Sequence, residues 1–202
     1  MTTTRRSMGL AAAIVLSGAV LAGLADLRAQ APTEAPSLLP PGETGTPLHV
    51  EGRILGVSGG GGAALYVYQT DARGYYSGEV NDDPRMARTQ SGAIVRTTRA
   101  GVSSNRKPRL KARFTTAPDG RFAFRTIMPG QYPRSGPPAH IHLEVTPPGK
   151  PMEPFELVFE GDSRMTDAIR ADAKAGKFYR LCTPVVGAGG TKTCAGVTFR
   201  VD

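Results

Sequence analysis

Two histidines separated by one residue, His140 and His142, are the feature of the sequence best suited to chemistry. On a β-strand, residues i and i+2 point to the same face, so both imidazoles could bind one metal ion while Ile141 points into the opposite layer. Imidazole binds zinc, copper, iron or nickel, so the pair alone does not select a metal. The third histidine, His49, begins a separate strand-like run, and we assign it no role.

The segments around this pair follow a specific order. The run Val67–Tyr76 comes first, then RTIMPGQYP at 125–133, PPAHIH at 137–142 and FEGD at 159–162. This ordered set resembles the intradiol ring-cleavage dioxygenases, the family of the catechol and protocatechuate 3,4-dioxygenases. The resemblance extends from about residue 50 to 162, most of the chain that follows the N-terminal segment. It implies a β-sandwich with a non-haem Fe(III) centre.

The resemblance also implies four iron ligands, two tyrosinates and two histidines. Position by position, the tyrosines fall on Tyr76 and Tyr132, and the histidines fall on His140 and His142. Tyr75 adjoins Tyr76, so a shift of one residue in the alignment would exchange the two. Phenolate is a hard anionic donor that suits Fe(III), and two phenolates with one hydroxide balance the three positive charges of the ion.

The function that the resemblance implies is cleavage of the aromatic ring of a catechol-type substrate. The ring opens between its two hydroxylated carbons, O2 supplies both inserted oxygen atoms, and the product is of the cis,cis-muconate type. Tyr132, as an axial ligand, would dissociate and help to take a substrate proton. The expected partners are a small catecholic molecule and O2.

Two positions depart from the family pattern. Pro137 stands where the family carries an arginine that stabilises negative charge on the substrate, and Arg134 of the same loop could replace it. Charge stabilisation of this kind is often the largest catalytic contribution. Glu156 replaces a glutamine beside the iron ligands, where a carboxylate would oppose a dianionic substrate or stay protonated. Two alternatives therefore stay open, a secreted non-catalytic binding module of the same fold and a zinc or copper protein that uses His140 and His142.

Residues 1–31 are typical of an export signal. Arg5 and Arg6 precede an uncharged, mostly apolar stretch, Met8–Ala25, and Ala29-Gln30-Ala31 offers the small residues that a signal peptidase requires. The arginine pair favours the twin-arginine route. We therefore expect a periplasmic or secreted protein with no stable membrane insertion after signal removal. An uncleaved membrane anchor is the alternative.

The rest of the chain is expected to form a Pro-rich linker at 32–47 and a β-sandwich domain at 48–202. The 202 residues include 25 Gly and 17 Pro, which suits a turn-rich β protein better than a helical bundle. We expect about seven to eight short antiparallel strands with long loops. The clearest strand-like runs are His49–Leu55, Ala64–Thr70, Arg109–Thr116, Arg121–Ile127, Ala139–Thr146, Phe155–Phe159 and Val197–Val201. One short helix is expected at Ser163–Ala175, closed by Gly176.

The two cysteines, Cys182 and Cys194, are predicted to form a disulfide because their number is even and the expected compartment is oxidising. The Gly-rich residues 187–190 could turn the chain between them. A metal-binding role for the cysteines is the weaker reading, since no histidine or second cysteine pair lies nearby in sequence.

The net charge of +8 is concentrated in one run, because nine basic residues and no acidic ones lie between Pro84 and Arg113. No aromatic residue lies among them, so stacking on nucleic-acid bases is not offered, and nucleic acid is not an expected partner. We interpret the run as a solvated loop and strand face. Attraction of anionic small molecules or surfaces is the alternative.

Overall fold

The structure is a computed structural model that describes residues 35–57, 62–76 and 108–201, with the backbone alone of 86–88 and 94–96. The predicted export signal at 1–31, the beginning of the predicted linker and most of the basic run lie outside the described residues. Within the described residues, no helix has the length and apolar character needed to cross a membrane.

Strands make up most of the described secondary structure. They are β1 (Pro47–Leu55), β2 (Ala64–Gln69), β3 (Met86–Arg88), β4 (Ile94–Arg96), β5 (Leu110–Thr115), β6 (Arg121–Ile127), β7 (His140–Thr146), β8 (Glu153–Phe159), β9 (Tyr179–Cys182), β10 (Val185–Val186) and β11 (Lys192–Arg200). Helix α1 spans Asp167–Lys174, and a single 3₁₀ turn spans Ala188–Gly190.

The strands form two main sheets, and the predicted all-β sandwich is confirmed. One sheet has the order β10-β11-β1-β6 and the other has the order β5-β2-β7-β8-β9, while β3 and β4 pair separately. Two neighbours are parallel, β1 with β11 and β8 with β9, so the prediction of purely antiparallel strands is wrong at these two places. The second case has a clear cause, because α1 carries the chain across between β8 and β9 and a crossover of this kind makes strands parallel.

Helix α1 is shorter than the run from which it was predicted. The hydroxyl of Thr166 caps its first turn by accepting a hydrogen bond from the backbone N–H of Ile169 at 3.3 Å. Gly176, with φ of +67°, follows the C-terminal residue Ala175 and takes the left-handed conformation that ends many helices. No residue of the helix is buried, so it covers the sandwich without adding to the core.

The core lies between the two main sheets and is built from the alternating apolar residues of the strands. The fully or almost fully buried members include Val50, Ile54, Leu65, Val67, Leu110, Phe124, Ile141, Leu143, Val145, Leu157 and Phe199. Each fully buried Leu, Ile or Phe stabilises the fold by roughly 1.5–3 kcal/mol relative to an exposed side chain. This packing fixes which face of each strand points outward, and the outward face of β7 carries the two histidines.

The described part of the predicted linker contacts the sandwich through hydrogen bonds and an ion pair. The backbone N–H of Leu38 donates to the carbonyl oxygen of Arg125 on β6 at 2.9 Å, and the Leu38 side chain is buried. The carboxylate of Glu43 pairs with the guanidinium of Arg109, which also lies 3.5 Å from Asp71. This ion-pair group joins three distant segments of the chain.

The predicted disulfide between Cys182 and Cys194 is confirmed, with a Cα–Cα distance of 5.8 Å. Cys182 ends β9 in one sheet and Cys194 lies on β11 in the other. Both residues are buried in the core. The bond therefore links the two layers of the sandwich directly.

Replacing both cysteines by alanine should lower the free energy of unfolding by about 3 kcal/mol, because the unfolded chain regains the entropy of a short closed loop. Urea unfolding of the variant and of the parent protein measures the difference. Thiol titration of the unreduced, denatured parent should find no free thiol. Two free thiols would contradict the disulfide.

Candidate metal centre

The predicted histidine pair lies on β7, the central strand of the five-stranded sheet. His140 and His142 share one face of this strand, while Ile141 is fully buried on the other side. The two Nε2 atoms are 3.1 Å apart. The alternation of a β-strand brings both imidazoles to one point, as the spacing of the pair predicts.

Two tyrosine hydroxyls meet the imidazoles at the same point. The Tyr76 hydroxyl lies 2.6 Å from the Tyr132 hydroxyl and 2.6 Å from Nε2 of His142. The Tyr132 hydroxyl lies 3.1 Å from Nε2 of His140. Together with the contact between the two imidazoles, these distances close a circle of four atoms that we call the donor ring: Tyr76 Oη, Tyr132 Oη, His140 Nε2 and His142 Nε2.

Of the two neighbouring tyrosines, Tyr76 is the one whose hydroxyl belongs to the donor ring. The side chain of Tyr75 is buried elsewhere, with the guanidinium carbon of Arg73 5.9 Å from the centre of its ring. The alignment that places the family's tyrosine on Tyr76 therefore agrees with the geometry.

The turn that carries Tyr76 is held by Asp71. One carboxylate oxygen of Asp71 accepts hydrogen bonds from the backbone N–H groups of Arg73 at 2.9 Å and Tyr75 at 3.1 Å. Its backbone carbonyl accepts from the N–H of Gly130 at 2.8 Å, which brings in the loop that leads to Tyr132. These bonds hold the two tyrosine-bearing segments side by side.

Two glycines allow these segments to approach so closely. Gly74 has φ of +90°, and a Cβ there would collide with the carbonyl oxygen of Gln131. A Cβ at Gly130 would come within 2.5 Å of the carbonyl oxygen of Ala72. Any larger residue at either position would therefore push the two tyrosines apart.

Each imidazole is oriented by a partner at its other nitrogen. Nδ1 of His140 lies 2.7 Å from the carbonyl oxygen of Pro138, so it must carry the proton and donate. Nδ1 of His142 lies 3.4 Å from a carboxylate oxygen of Glu156. Protonation at Nδ1 leaves the Nε2 lone pairs directed at the donor ring, and this arrangement is typical of metal-binding histidines.

Burial disfavours the ionised forms of Tyr76, Tyr132 and His142. Burial raises the pKa of Tyr76 strongly, with a further contribution from its hydrogen bond to Tyr132, and burial also raises the pKa of Tyr132. Burial, with a smaller effect of His140, lowers the pKa of His142 to about 3. Without a cation, the site therefore consists of two neutral phenols and a neutral His142 imidazole.

The donor ring fits a hard, highly charged metal ion. Metal–nitrogen and metal–oxygen bonds of about 2.0–2.1 Å place neighbouring ligand atoms roughly 3 Å apart, and the four measured separations are 2.6–3.1 Å. A trivalent cation would favour loss of the phenolic protons that burial now retains. Two oxygen and two imidazole donors together suit iron.

Glu156, which the resemblance placed beside the iron ligands, lies next to both histidines. Its register partner on β7 is His142, and a carboxylate oxygen also lies 4.0 Å from Nε2 of His140. Burial raises the pKa of the Glu156 carboxyl, an effect that His140 partly offsets. His140, His142 and Glu156 form a group that could hold a metal ion by itself.

Arg134, predicted to replace the missing arginine, lies on the loop between Tyr132 and His140 with its side chain exposed. Among the described residues, Arg134 forms a hydrogen bond through its backbone carbonyl oxygen, which accepts from the guanidinium of Arg164 at 3.5 Å. Pro137 lies on the same loop and is partly buried. The catalytic role of Arg134 stays a prediction.

Sequence reasoning missed the side chain that packs on His142. The ring of Tyr68 stacks on this imidazole with centroids 4.5 Å apart and an angle of 17° between the planes. Tyr68 lies opposite His142 in the pairing of β2 with β7. The alternation Tyr66-Val67-Tyr68 indicates that both tyrosines lie on the same face of a strand. It does not predict that Tyr68 packs on His142, because that contact depends on the register between two distant strands.

Comparison with known proteins finds similarity among solved structures. No family model matches the chain, and no curated protein matches it. The dioxygenase domain of a dioxygenase carbohydrate-binding protein fusion from Streptomyces sp. SirexAA-E is 24% identical, with a TM-score of 0.52 over 84% of this chain and 90% of that chain.

Two further structures have the same fold. An intradiol ring-cleavage dioxygenase from Tetranychus urticae is 17% identical, with a TM-score of 0.52 over 84% of this chain and 87% of that chain. A 3-chlorocatechol 1,2-dioxygenase from Rhodococcus opacus 1CP is 18% identical, with a TM-score of 0.50 over 84% of this chain and 68% of that chain. At these identities the comparison establishes the fold of the intradiol dioxygenases, which confirms the resemblance at that level.

Acidification should destabilise the metal-free protein through His142. An unfolded chain protonates this imidazole below its ordinary pKa of 6.5, whereas the folded protein resists protonation down to about pH 3. Stability is therefore lost as the pH falls through this window. Between pH 7 and pH 5 the parent should lose roughly 1–2 kcal/mol more than His142→Asn, measured by urea unfolding in the presence of a chelator.

Glu156 opposes this effect, because its raised pKa favours the folded state on acidification. Glu156 is present in both proteins, so the difference between the parent and His142→Asn reports the contribution of His142. His49→Asn serves as a matched control, because His49 lies on β1 in the other sheet. The loss of stability that depends on His142 should remain in this variant. Equal pH dependence in the parent and in His142→Asn would contradict the neutral, buried state of His142.

Proposed function

We propose that this protein is a non-haem Fe(III)-dependent intradiol dioxygenase that opens the ring of a catechol-type substrate between its two hydroxylated carbons. The observation that carries the proposal is the donor ring, in which two phenol oxygens and two imidazole nitrogens lie within 2.6–3.1 Å of their neighbours. The shared fold of the solved dioxygenases supports it.

The ligands in this proposal are Tyr76, Tyr132, His140 and His142. When bound, Fe(III) supplies the Lewis acidity that favours loss of protons from both tyrosines and from a catechol. Tyr76 and His142 contact each other, and the stack of Tyr68 on His142 holds this side of the site in place. These contacts orient the donors before any ion binds.

Tyr132 is the donor best placed to move a proton. Both tyrosines lie outside the strands and have two partners in the donor ring, but Tyr132 is only partly buried, whereas Tyr76 is almost fully buried. A phenolate there can accept the proton of an incoming catechol hydroxyl and swing away from the site on its loop. Burial raises the pKa of this phenol, which strengthens it as a base once it is ionised.

The proposed reaction balances without a reductant. The carbon–carbon bond between the two hydroxylated carbons breaks, and each of these carbons gains one oxygen atom from the same O2 molecule. A catechol and one O2 therefore give one dicarboxylic acid of the cis,cis-muconate type. The substrate is oxidised and O2 is reduced, so no further electron donor is needed.

We also propose that the protein acts after export, in the periplasm or outside the cell. The predicted signal at residues 1–31 motivates this location. The disulfide between Cys182 and Cys194 supports it, because stable disulfides are typical of oxidising compartments.

A second candidate function is favoured by the position of Glu156. Two imidazoles and one carboxylate are a common ligand set for zinc, and here they form a compact group with His140 and His142. In that case the tyrosines would serve as hydrogen-bond partners rather than ligands, and the protein would be a zinc or copper protein.

Protein supplied with Fe(III) should be red-brown, because tyrosinate bound to Fe(III) absorbs visible light. Tyr132→Phe should keep iron but change this absorption band, and it should slow O2 uptake with catechol on the order of 100-fold, since a proton acceptor is lost. Absorption spectra, iron content and an oxygen electrode measure the three quantities. Tyr75→Phe, which alters the adjacent tyrosine outside the donor ring, is the matched control and should change none of them.

A colourless protein after addition of Fe(III) would overturn the assignment of the tyrosines. A coloured protein that consumes no O2 with any catechol would instead identify a non-catalytic member of this fold. A product whose mass equals that of the substrate plus one O2 would establish the intradiol reaction.

Glu156→Gln distinguishes the two candidate sets of metal ligands. If tyrosines and histidines hold the ion, the variant should keep its iron and its visible band, because the glutamine oxygen can still face Nδ1 of His142. If His140, His142 and Glu156 hold zinc, the variant should lose roughly 10-fold or more in zinc affinity. Metal content after equilibrium dialysis against both ions distinguishes these outcomes.

A further inference from the structure

The loop between Tyr132 and His140 connects two members of the donor ring and has no regular secondary structure. It contains three prolines, Pro133, Pro137 and Pro138, which have no backbone N–H to donate. The tyrosine and histidine at its two ends must nevertheless stay 3.1 Å apart at their reactive atoms. Something outside the loop has to fix both ends.

The carboxylate of Asp162, just beyond β8, reaches both ends of this loop. Its Oδ1 atom accepts a hydrogen bond from the side-chain amide of Gln131 at 2.6 Å. Its Oδ2 atom accepts from the backbone N–H of Ala139 at 3.0 Å. Gln131 directly precedes Tyr132, and Ala139 directly precedes His140, so one carboxylate holds the residues beside both donors.

Neighbouring groups keep Asp162 itself in place. Oδ1 also accepts the backbone N–H of Arg164 at 2.8 Å, and the amide of Gln131 donates a second hydrogen bond to the hydroxyl of Ser163 at 2.9 Å. Hydrogen bonds to a carboxylate are roughly twice as strong as those between neutral groups. Both oxygens of Asp162 are thus occupied by N–H donors.

We propose that Asp162 is a positioning residue for the donor ring, which sets the separation of Tyr132 and His140 through Gln131 and Ala139. Among the described residues, the partners of its carboxylate are N–H groups of Gln131, Ala139 and Arg164, and none of these is a donor-ring atom. The inference rests on the proposed function, because it concerns how the chain arranges its iron ligands before the ion binds.

Asp162→Asn is the direct test. An amide offers one oxygen in place of two, so its NH2 group must face either Ala139 N–H or the donors at Oδ1. One end of the loop would then lose its anchor, and the other would keep it. Loss of groups that orient metal ligands typically lowers metal affinity by 10–100-fold, and we expect a decrease in Fe(III) affinity of this size.

Asp172→Asn is the matched control. Asp172 lies on α1 and likewise accepts two backbone N–H groups, from Phe178 at 3.1 Å and Tyr179 at 2.8 Å. Both of these hydrogen bonds go to the same oxygen, Oδ1, so an asparagine can keep them, and the variant tests the loss of a carboxylate charge alone. Gln131→Met is a second variant, which leaves the Asp162 carboxylate intact and removes its contact beside Tyr132; it should lower Fe(III) affinity several-fold.

Two readouts are needed, one with iron and one without. Titration with Fe(III), followed by the visible band, gives affinity and the state of the tyrosines. Hydrogen exchange of the metal-free protein gives the opening of the loop. In Asp162→Asn the backbone N–H of Ala139 should exchange at least 10-fold faster than in the parent, and in Asp172→Asn it should exchange at the parent rate.

Parent-like iron affinity and parent-like exchange at Ala139 in Asp162→Asn would overturn the proposal. Equal losses of affinity in the Asp162 and Asp172 variants would also overturn it, since they would indicate an effect of the lost negative charge rather than of the lost hydrogen bond. If Asp162→Asn does not fold, unchanged iron affinity in Gln131→Met has the same meaning. If the parent gives no visible band with Fe(III), the proposed function fails, while the exchange rates of the metal-free proteins still decide whether Asp162 holds the loop.

Discussion

The pairing of β7 between β2 and β8 is the constraint on which the rest of the site depends. It places His142 opposite Tyr68 on one side and Glu156 on the other. A shift of one residue in this register would turn both histidines into the core and expose the apolar residues between them. Ile141 and Leu143 are fully buried, so the same hydrophobic packing that stabilises the sandwich also aims the imidazoles outward.

The two oxygen donors depend on a different kind of order. Tyr76 and Tyr132 lie outside the strands, and their segments are held in place by N–H groups that donate to oxygen atoms of two aspartates. Asp71 joins the turn of Tyr76 to the segment before Tyr132, and Asp162 joins the two ends of the following loop. The sheet thus positions the nitrogen donors, whereas hydrogen-bonded loops position the oxygen donors.

Local patterns in the sequence were sufficient for much of this architecture. The strand-like run Arg121–Ile127, which follows the turn residues Pro118-Asp119-Gly120, has the same bounds as β6, and the HIH spacing predicted the shared face of the histidines. Parallel pairing of β8 with β9 could not be read in this way, because Tyr179–Cys182 is short and its partner is set by the helix crossover. The family resemblance supplied the two tyrosines, since nothing local distinguishes Tyr76 from Tyr75.

Contacts between segments that are distant in the chain could not be predicted from the sequence. The stack of Tyr68 on His142 follows from the strand register, and the hydrogen bonds of Asp162 follow from how a loop closes over the end of β8. Both are products of tertiary structure. The role of Arg134 is even harder to predict, because the side chain is exposed on a loop and its position in the sequence does not determine the direction of its guanidinium.

The energetics of the donor ring connect metal binding to folding. Burial raises the pKa of both tyrosines and lowers that of His142, so in the metal-free protein these three side chains form a cluster of neutral polar groups. A bound cation would favour the ionised form of both phenols, so metal binding would release protons. Metal affinity should therefore rise with pH, and the bound ion should stabilise the folded chain by mass action. Burying these polar groups close together costs free energy before any ion binds. The hydrophobic core and the disulfide that links the two layers offset this cost, so the folded chain can hold the four donors close together without the ion.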